Sequence, residues 1–412
     1  MPTVKCVEAS HADANRQSKA MQRRNRLLII TFIESFATIL LERGVYFYTK
    51  DILHFSELQN LLIALMFGIL YIIGALNSHK IATRWTEKRV LLASITGLTI
   101  IAAILSLIAL PLLFVISFAI IGILTGIKWP IIESYIHAGL TPTSTLRATG
   151  RFSISWALAV PLSLAASGLL IGSPYAQSIF IAALICHIAS LFLCRPLIRH
   201  PIHLPHDHPE QADPHRLARY TKLLLASRWS MLSSYTLLFL LAPLMPSIFA
   251  DLGFDVQYAA AYSGFLDVTR LLAFFILGAW VGWHGKVFPI LLAIIALPCG
   301  FIMILLGNHV TWVIVGELLF GVSAGLTYYS SLYYAMVVKN ASVDAGGAHE
   351  GLIGAGFAIG PLIGILGIIL SNTMSSRYGI LVAAIPFFVL CMVTALLPIL
   401  HLRASAHSSH PS

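Results

Sequence analysis

Charged residues are scarce in this chain of 412 residues. Asp, Glu, Lys and Arg make up only 10% of it, against 58% hydrophobic residues, and the mean hydropathy is +0.85. Soluble domains carry about 25% charged residues, so the composition excludes an ordinary water-soluble globular protein. It indicates an integral membrane protein.

Signals of several other protein classes are also missing. The five cysteines are scattered without metal-ligand spacing, and no glycine-rich phosphate loop with its lysine is present, so we expect neither a metal or other cofactor nor direct use of ATP. The first 26 residues contain no apolar stretch with a small-residue cleavage site, so the first span is expected to direct its own insertion. The net charge of +9 is spread along the chain, which argues against nucleic acid as a partner.

Apolar runs of about 20 residues dominate the sequence, the length of an α-helix that crosses about 30 Å of hydrocarbon. The strands of a membrane β-barrel would be near 10 residues and would alternate in polarity. We therefore predict an all-α integral membrane protein with 12 transmembrane helices. The runs lie at residues 27–48, 57–77, 90–110, 112–137, 152–172, 177–194, 230–250, 258–283, 287–306, 310–337, 351–371 and 379–401.

The distribution of positive charge predicts the orientation in the lipid bilayer. If both termini are cytoplasmic, most Lys and Arg lie in inner segments, and the outer loops hold only Lys50 and Arg377. This asymmetry follows the positive-inside rule. We expect both termini in the cytoplasm and, as the location, the cytoplasmic (inner) membrane of a bacterium.

A polar segment rich in Pro and His divides the spans six and six. The expected organisation is a tail at 1–26, a six-helix half at 27–194, a cytoplasmic linker at 195–229, a second half at 230–401 and a tail at 402–412. Metal regulation by the linker remains an alternative to a solvated linker, although a proline-broken stretch offers no defined ligand geometry. The histidines concerned are His200, His203, His206, His208 and His215.

Small residues recur at a nearly constant offset between the halves. Gly122 and Gly126 of span four reappear 199 positions later as Gly321 and Gly325 of span ten, and Pro161 of span five reappears 200 positions later as Pro361 of span eleven. Ordered matches across two consecutive spans predict two six-helix halves in parallel order. Transporters built this way bind solute near the bilayer midplane, between the halves.

Two further motifs resemble those of the major facilitator superfamily. The loop "HKIATRWTEKR" keeps Arg84, Lys88 and Arg89 of the family's Gly-x-x-x-Asp-Arg-x-Gly-Arg-Arg pattern, and span eleven carries a Gly-x-x-x-Gly-Pro element that includes Gly360 and Pro361. The resemblance implies the major facilitator fold, a central cavity lined by spans one, four, seven and ten, and a monomeric functional unit. It also implies a gating role for Arg84. The small residues are expected to serve packing or gating.

Ionisable residues at membrane depth are costly and therefore indicate a cavity or a partner. Asp267 and Arg270, three positions apart on one helix, are expected to neutralise each other. His349 and Glu350 precede span eleven and are expected to cap its helix. Within the spans, Glu34 is expected to bind a neighbouring helix, and Glu133 is expected at the cytoplasmic gate. The other candidates within spans are Glu42, Arg43, Lys128, Asp267, Arg270 and Glu317.

The stretch "ILLERGVYFY" places Glu42, Arg43 and Tyr46 on one polar face of the first span. A carboxyl group withdrawn from water holds its proton more firmly and a neighbouring arginine loosens it, so proton binding there would respond to whatever engages the arginine. We therefore expect Glu42 and Arg43 to couple protons to transport.

Three strings also resemble the proton-coupled oligopeptide transporters. They are "LER" with Tyr46 in span one, "GIKWP" in span four and "GEL" in span ten. The resemblance implies that Lys128 meets a substrate carboxylate and that Glu317 meets a substrate amine. Tyr328 is the repeat partner of Trp129, and we expect both rings to line the cavity, with a place in the interfacial aromatic belt as the alternative for Tyr328.

The predicted function is secondary active transport of a small organic solute by alternating access, without covalent chemistry, so no enzyme is expected. Proton-coupled symport of a polar or zwitterionic, peptide-like solute fits the mixed charges. Proton-coupled efflux of amphiphilic compounds fits the aromatic residues. A membrane receptor or scaffold that retains the fold without transporting is the alternative from another class.

Overall fold

The computed structural model describes residues 22, 24–138, 142–201, 214–338, 343–371 and 375–408. Within these residues every regular element is helical. His203, His206 and His208 of the expected linker lie outside the described residues, as do residues 1–21, 23 and 409–412 of the expected tails.

Six helices form the first half of the bundle. α1 is composite, with a helix at 24–39, a π-helical turn at Leu40–Gly44 and a further helical stretch at Val45–Asp51. The others are α2 (Glu57–Trp85), α3 (Glu87–Leu107), α4 (Pro111–His137), α5 (Pro142–Ile171) and α6 (Ser178–Cys194).

Six further helices form the second half. α7 (Pro214–Leu241) continues after a break as Met245–Asp251, and α8 consists of Val256–Tyr262 and Phe265–Ala279, followed by a 3₁₀ turn at Val281–Trp283. The others are α9 (Phe288–Leu306), α10 (Val310–Val338), α11 (Val343–Leu370) and α12 (Ser376–Ser408).

These helices correspond one to one with the 12 predicted spans, which confirms the predicted fold class. Ten of them, among the described residues, are long and apolar enough to cross a bilayer; α6 is shorter, and the π-turn interrupts α1. We call the end of the bundle where α1 begins the terminal face and the end where α1 finishes the opposite face. Odd-numbered helices run from the terminal to the opposite face, and even-numbered helices run back.

Local sequence signals set several helix starts. At the start of α2 the Ser56 hydroxyl accepts a hydrogen bond from the Gln59 backbone N–H, and the Gln59 side chain accepts one from the Ser56 N–H. This reciprocal capping box satisfies two N–H groups that the first turn leaves without helical partners. α4 begins with Pro111, whose missing N–H costs nothing in the first turn.

The repeated glycines lie at equivalent helix contacts in the two halves. A Cβ atom on Gly126 of α4 would come within 2.2 Å of the Tyr71 carbonyl oxygen on α2, and one on Gly321 of α10 within 2.0 Å of the Leu266 carbonyl oxygen on α8. Gly122 and Gly325 lie in the same two contacts. Glycine is required there because the backbones approach too closely for a side chain.

Small residues also lie in the contacts that α5 and α11 make with helices of the second half. Pro161 of α5 lies beside Gly264 at the break in α8, and Gly360 of α11 lies against the Thr236 carbonyl oxygen of α7. Pro361 borders a small pocket together with Ala64 of α2 and Ala242 of α7. Between the halves, α5 packs on α8 and α2 packs on α11, and the repeat makes these two contacts equivalent.

Helix starts differ from the expected spans where polar residues continue the helix. α7 begins at Pro214 rather than near 230, within the segment assigned to the linker, and α11 begins at Val343 rather than near 351. Hydropathy marks only the apolar stretch, whereas the helix continues past it into the polar region. Glu350 therefore lies about two turns inside α11 and not at its cap.

The loop between α2 and α3 is held within the first half. Arg84 is exposed at the end of α2. The Lys88 ammonium donates to the Arg195 carbonyl oxygen at 2.5 Å, and the His200 ring lies 2.7 Å from the Glu87 carboxylate. These contacts tie the start of α3 to the chain after α6.

Candidate functional site

A cavity of about 110 Å³ lies between the two halves. This volume exceeds the space that a single water molecule needs. Its wall on α5 runs from Phe152 to Val160, about 12 Å along the helix. The lining side chains come from α1, α2, α4 and α5 of the first half (Ser35, Thr38, Ile39, Glu42, Arg43, Tyr71, Trp129, Glu133, Phe152, Trp156 and Val160) and from α7, α8, α10 and α11 of the second (Tyr235, Leu238, Phe239, Arg270, Tyr328, Glu350, Ile353 and Phe357).

Glu42 faces this cavity from the π-helical turn of α1. Its side chain is only 7% exposed, and no hydrogen bond to another described residue satisfies its carboxyl group. Its charged neighbours include Arg43, Lys128 and Arg270. π-Turns inside helices are frequent at functional sites, because the extra residue redirects side chains. Gly44 permits the turn to pack closely, since a Cβ atom there would lie 2.1 Å from the Ser167 hydroxyl of α5.

Arg43 joins the two halves through Asp267. Its Nη1 donates to Asp267 Oδ2 of α8 at 2.6 Å, while Arg270 Nη2 lies 2.5 Å from Asp267 Oδ1. The expected pairing of Asp267 with Arg270 is therefore present, but one carboxylate serves two guanidinium groups, one from each half. The Arg270 guanidinium also lies over the Trp156 ring of α5, 4.8 Å from its centroid. The cluster carries a net positive charge.

Lys128 differs from its expected place in the cavity wall. It is fully buried, and its ammonium donates to Glu34 Oε2 at 2.7 Å and to the Thr38 hydroxyl at 2.9 Å, both on α1. The second Glu34 oxygen lies 3.1 Å from His187 Nδ1 on α6. An ammonium group at membrane depth needs such partners, so Lys128 turns towards α1. Trp129, about 100° further around α4, faces the cavity as expected.

Glu317 and Tyr46 also lie outside the cavity lining. Glu317 is fully buried on α10, where one of its carboxyl oxygens accepts from the Leu266 backbone N–H at 3.3 Å. That N–H lies in the first turn of the second part of α8, Phe265–Ala279, where it has no helical partner and attracts the carboxylate. Tyr46 packs edge-on against Phe118, with ring centroids 6.1 Å apart, and borders a small adjoining pocket with Glu42 and Arg43.

Tyr328 lines the cavity as expected. Its ring lies edge-on to Trp156 at 5.2 Å and to His349 at 4.6 Å. The interfacial alternative is wrong for this side chain, because it is buried among other rings in the centre of the bundle. Trp129 and Trp156 on one side and Tyr235 and Tyr328 on the other give the cavity aromatic walls from both halves.

The sequence did not predict the contact between Glu133 and Glu350 in the cavity wall. The carboxyl groups of Glu133 on α4 and Glu350 on α11 lie within hydrogen-bonding reach of each other, and the Tyr71 hydroxyl of α2 donates to Glu350 Oε2 at 2.8 Å. The capping role expected for Glu350 is wrong, because α11 starts earlier than its apolar run. The polar residues before that run continue the helix from Val343, and this segment is the sequence signal that could have placed Glu350 within the bundle.

The halves are in contact at the opposite face. The Asn60 amide donates to the Pro243 carbonyl oxygen at 3.4 Å, linking α2 to α7, and the Gln257 amide donates to the Gly172 carbonyl oxygen at 3.3 Å, linking α8 to α5. At the terminal face, by contrast, the ends of α5, α8 and α10 border a crevice of about 520 Å³. The described part of the bundle is therefore more tightly closed at the opposite face.

Solved structures show the same architecture. The nucleoside transporter NupG aligns with a TM-score of 0.65 at 13% identity, over 92% of this chain and 98% of that one. A bacterial homologue of the human lysosomal transporter Spinster, inward-facing and unoccupied, aligns with a TM-score of 0.64 at 14% identity, over 91% of this chain and 96% of that one. At this identity the likeness shows the fold alone.

Sequence comparison identifies the family. No curated protein sequence matches the chain. The family profile described as Major Facilitator Superfamily matches residues 27–349, well over half of the chain. Together with the multi-pass helical architecture, this match shows that the chain belongs to the Major Facilitator Superfamily of membrane transporters.

Proposed function

We propose that this protein is a proton-coupled secondary transporter that moves a small organic solute through the cavity between its halves by alternating access. The observation that carries the proposal is Glu42, a buried carboxyl group in the cavity wall that has no ion-pair partner among the described residues. It lies beside Arg43, which is ion-paired to Asp267 of the second half. A buried ionisable group in such a position indicates an ion pathway or a partner that is not permanent.

The coupling follows from the positions of Glu42 and Arg43. While Glu42 carries a proton it is uncharged, and Arg43 remains bound to Asp267 across the two halves. When Glu42 loses its proton, its carboxylate competes with Asp267 for the Arg43 guanidinium. Competition of this kind weakens a contact between the halves, and alternating access requires such contacts to form and break.

Two modes of transport are compatible with the proposal. Symport of a polar or zwitterionic solute is supported by the mixed charges of the lining, with arginines and glutamates in one cavity. Antiport of an amphiphilic compound is supported by the aromatic walls and by the position of Lys128 and Glu317 outside the lining. Nucleosides are a third class to examine, because NupG is a nucleoside transporter.

We further propose the cytoplasmic membrane of a bacterium as the location, a monomer as the functional unit and the two six-helix halves, joined by the linker at 195–229, as the moving parts. The terminal face is then cytoplasmic. The concentration of Lys and Arg in segments at that face supports this orientation.

Solute-driven proton movement tests the proposed function. Purified protein is reconstituted into vesicles that contain a pH-sensitive dye, and peptides, amino acids, sugars, nucleosides and cationic dyes are added in turn. We expect at least one class to move protons. A receptor or scaffold would bind solute without any proton movement, and that result overturns the proposal.

Glu42→Gln then tests the coupling residue. We expect the variant to lose solute-driven proton movement but to retain exchange of labelled for unlabelled solute, because glutamine fills the same space and holds no exchangeable charge. Asp255→Asn, at an exposed carboxyl group just before α8 on the opposite face, is the matched control and should behave like the parent protein. Unchanged proton movement in Glu42→Gln would contradict the assigned role.

A further inference from the structure

The charges in the cavity are unbalanced. Among the described residues that line it, the carboxyl groups are those of Glu42, Glu133 and Glu350, and the guanidinium groups are those of Arg43 and Arg270, which already share Asp267. Four carboxyl groups thus stand against two guanidinium groups, an excess of two negative charges if every group is ionised. Such an excess is not stable in a buried site unless protons or a cationic ligand offset it.

The neighbours of each carboxyl group show where the excess negative charge lies. Glu42 has cationic groups close by, among them Arg43 and Arg270. Among the described residues, the main interactions of the Glu133–Glu350 pair are between the two carboxyl groups and with the Tyr71 hydroxyl. None of them involves a cationic side chain. The pair is therefore the place in the cavity where a positive charge from outside is most stabilised.

Two carboxyl groups this close repel each other when both are ionised, so a shared proton stabilises the pair. An ionised carboxylate can only accept hydrogen bonds, so two carboxyl groups that bond to each other require a proton on one of them. With that shared proton the pair carries a single negative charge and spans the halves, from α4 to α11. The Tyr71 hydroxyl donates to one Glu350 oxygen, which leaves the other oxygen of Glu350 for the contact with Glu133.

Aromatic rings surround the place where a ligand would lie. Tyr71, Trp129, Trp156 and Tyr328 belong to the same cavity wall as the two carboxyl groups. Ring faces attract cations, most of all quaternary ammonium groups, which cannot donate hydrogen bonds. Glu42, buried and without a hydrogen-bond partner among the described residues, is a further carboxyl group in the cavity wall.

We propose that the cavity binds a monovalent organic cation with its charged group against Glu133 and Glu350, and that the cation replaces the proton shared by this pair. This proposal rests on the proposed function, since it names the substrate class of the same cavity. The exchange is balanced in charge. One positive ligand enters the pair, the O–H bond of the shared proton ionises and the proton leaves to water, and no other covalent bond changes.

Other titratable and charged groups face the pair from the surrounding helices. They bear on any pH dependence, and each variant below leaves them in place. Those that interact with the pair itself are Glu42 on α1, Tyr71 on α2, Tyr235 on α7 and Tyr328 on α10. Arg43 and Arg270 lie near Glu42, and His349, next to Glu350 on α11, has Arg228 of α7 near it.

Binding to the detergent-purified protein tests the inference without any need for transport. Benzyltrimethylammonium and choline are the cationic probes, and 3,3-dimethyl-1-butanol is the uncharged isostere of choline. Titration calorimetry in buffers of different ionisation enthalpy counts the protons released. We expect both cations to bind with release of one proton, and the neutral isostere to bind at least tenfold more weakly.

The pH dependence has a definite sign. Where the free pair holds its proton, each unit of lower pH should weaken cation binding about tenfold, because the proton must be displaced. Glu133→Gln should abolish the proton release and weaken cation binding at least tenfold, whereas the matched control Asp255→Asn should change neither. Binding without proton release, or equal binding of the neutral isostere, overturns the inference.

The two proposals fail separately. If solutes drive proton movement in vesicles but neither cationic probe binds, the cation site is wrong and proton-coupled transport stands. If the cations bind and displace a proton but no solute moves protons in vesicles, the proposed transport function is wrong and the cation site stands.

Discussion

Two buried charge clusters lie close together along α1 and differ in what they connect. In the first, Glu34 binds Lys128 and His187, and all three side chains are fully buried within the first half. In the second, Arg43 of the first half and Arg270 of the second bind the same Asp267, beside the unpaired Glu42. The first cluster is closed within one half, and the second spans the interface and borders the cavity.

The difference separates a structural role from a functional one. A buried pair whose partners move together as one body keeps its contacts through any rotation of the halves. A pair that spans the halves must change its contacts when the halves rotate, and it can therefore respond to a proton or a ligand. Two and a half helical turns of α1 separate Glu34 from Arg43, so a single helix serves both roles.

The largest expected effect comes from breaking the closed cluster. Lys128→Met leaves the Glu34 carboxylate buried without its ammonium partner, and removal of one partner of a buried pair costs about 3–5 kcal/mol. We expect low yield after extraction in detergent and a clearly lower Tm. Thermal unfolding followed by tryptophan fluorescence measures this.

A double variant distinguishes charge from packing in that cluster. In Glu34→Gln with Lys128→Met, the buried charges are removed together, and replacing a buried pair by uncharged groups of similar size is often neutral. We expect most of the lost Tm to return. If the single variant Lys128→Met unfolds like the parent protein, the pair is not structural and the comparison fails at its first step.

The second effect concerns transport more than stability. Arg43→Gln removes the bridge between the halves but leaves Asp267 paired with Arg270, so we expect a modest fall in Tm and a loss of solute-driven proton movement of at least about tenfold, equivalent to about 1.4 kcal/mol. Arg270→Gln is the matched control, because it leaves the bridge through Arg43 in place.

A double-mutant cycle measures the bridge directly. Residues in contact show interaction energies of about 0.5–3 kcal/mol, and Arg43→Gln combined with Asp267→Asn should give a value in this range for transport. If Arg270→Gln impairs transport as much as Arg43→Gln, transport does not depend specifically on the Arg43–Asp267 contact between the halves.

The fold was predictable from the sequence because its signals are short in range or strictly periodic. Apolar runs of membrane length predicted the 12 helices, and the offset of Gly122 and Gly321 predicted the two equivalent halves. Helix ends were less predictable. Hydropathy follows the apolar stretch, and polar residues extend α7 and α11 beyond it.

The site was predictable in its residue types but not in its pairings. Glu42 and Arg43 could be chosen because charges at membrane depth are rare. That Lys128 faces Glu34 while Trp129 faces the cavity depends on the rotation of α4, and a change of about 100° separates the two outcomes. The π-turn at Leu40–Gly44 rotates the rest of α1 in a similar way and has no clear sequence signal.

The variant with the smallest expected effect tests most directly whether the two charge clusters act independently. His187→Leu removes the 3.1 Å contact to Glu34 but leaves the Lys128 pair intact, so the loss should be close to that of one hydrogen bond, about 0.5–1.5 kcal/mol. Tm should fall slightly.

Solute-driven proton movement in this variant should remain at the parent level, because His187 lies on α6 and contacts no residue of the second half among the interactions of the described residues. A loss of transport as large as that of Arg43→Gln would mean that the closed cluster also rearranges during the cycle. Thr38 would be the connection in that case, because its hydroxyl accepts from Lys128 while the residue lines the cavity.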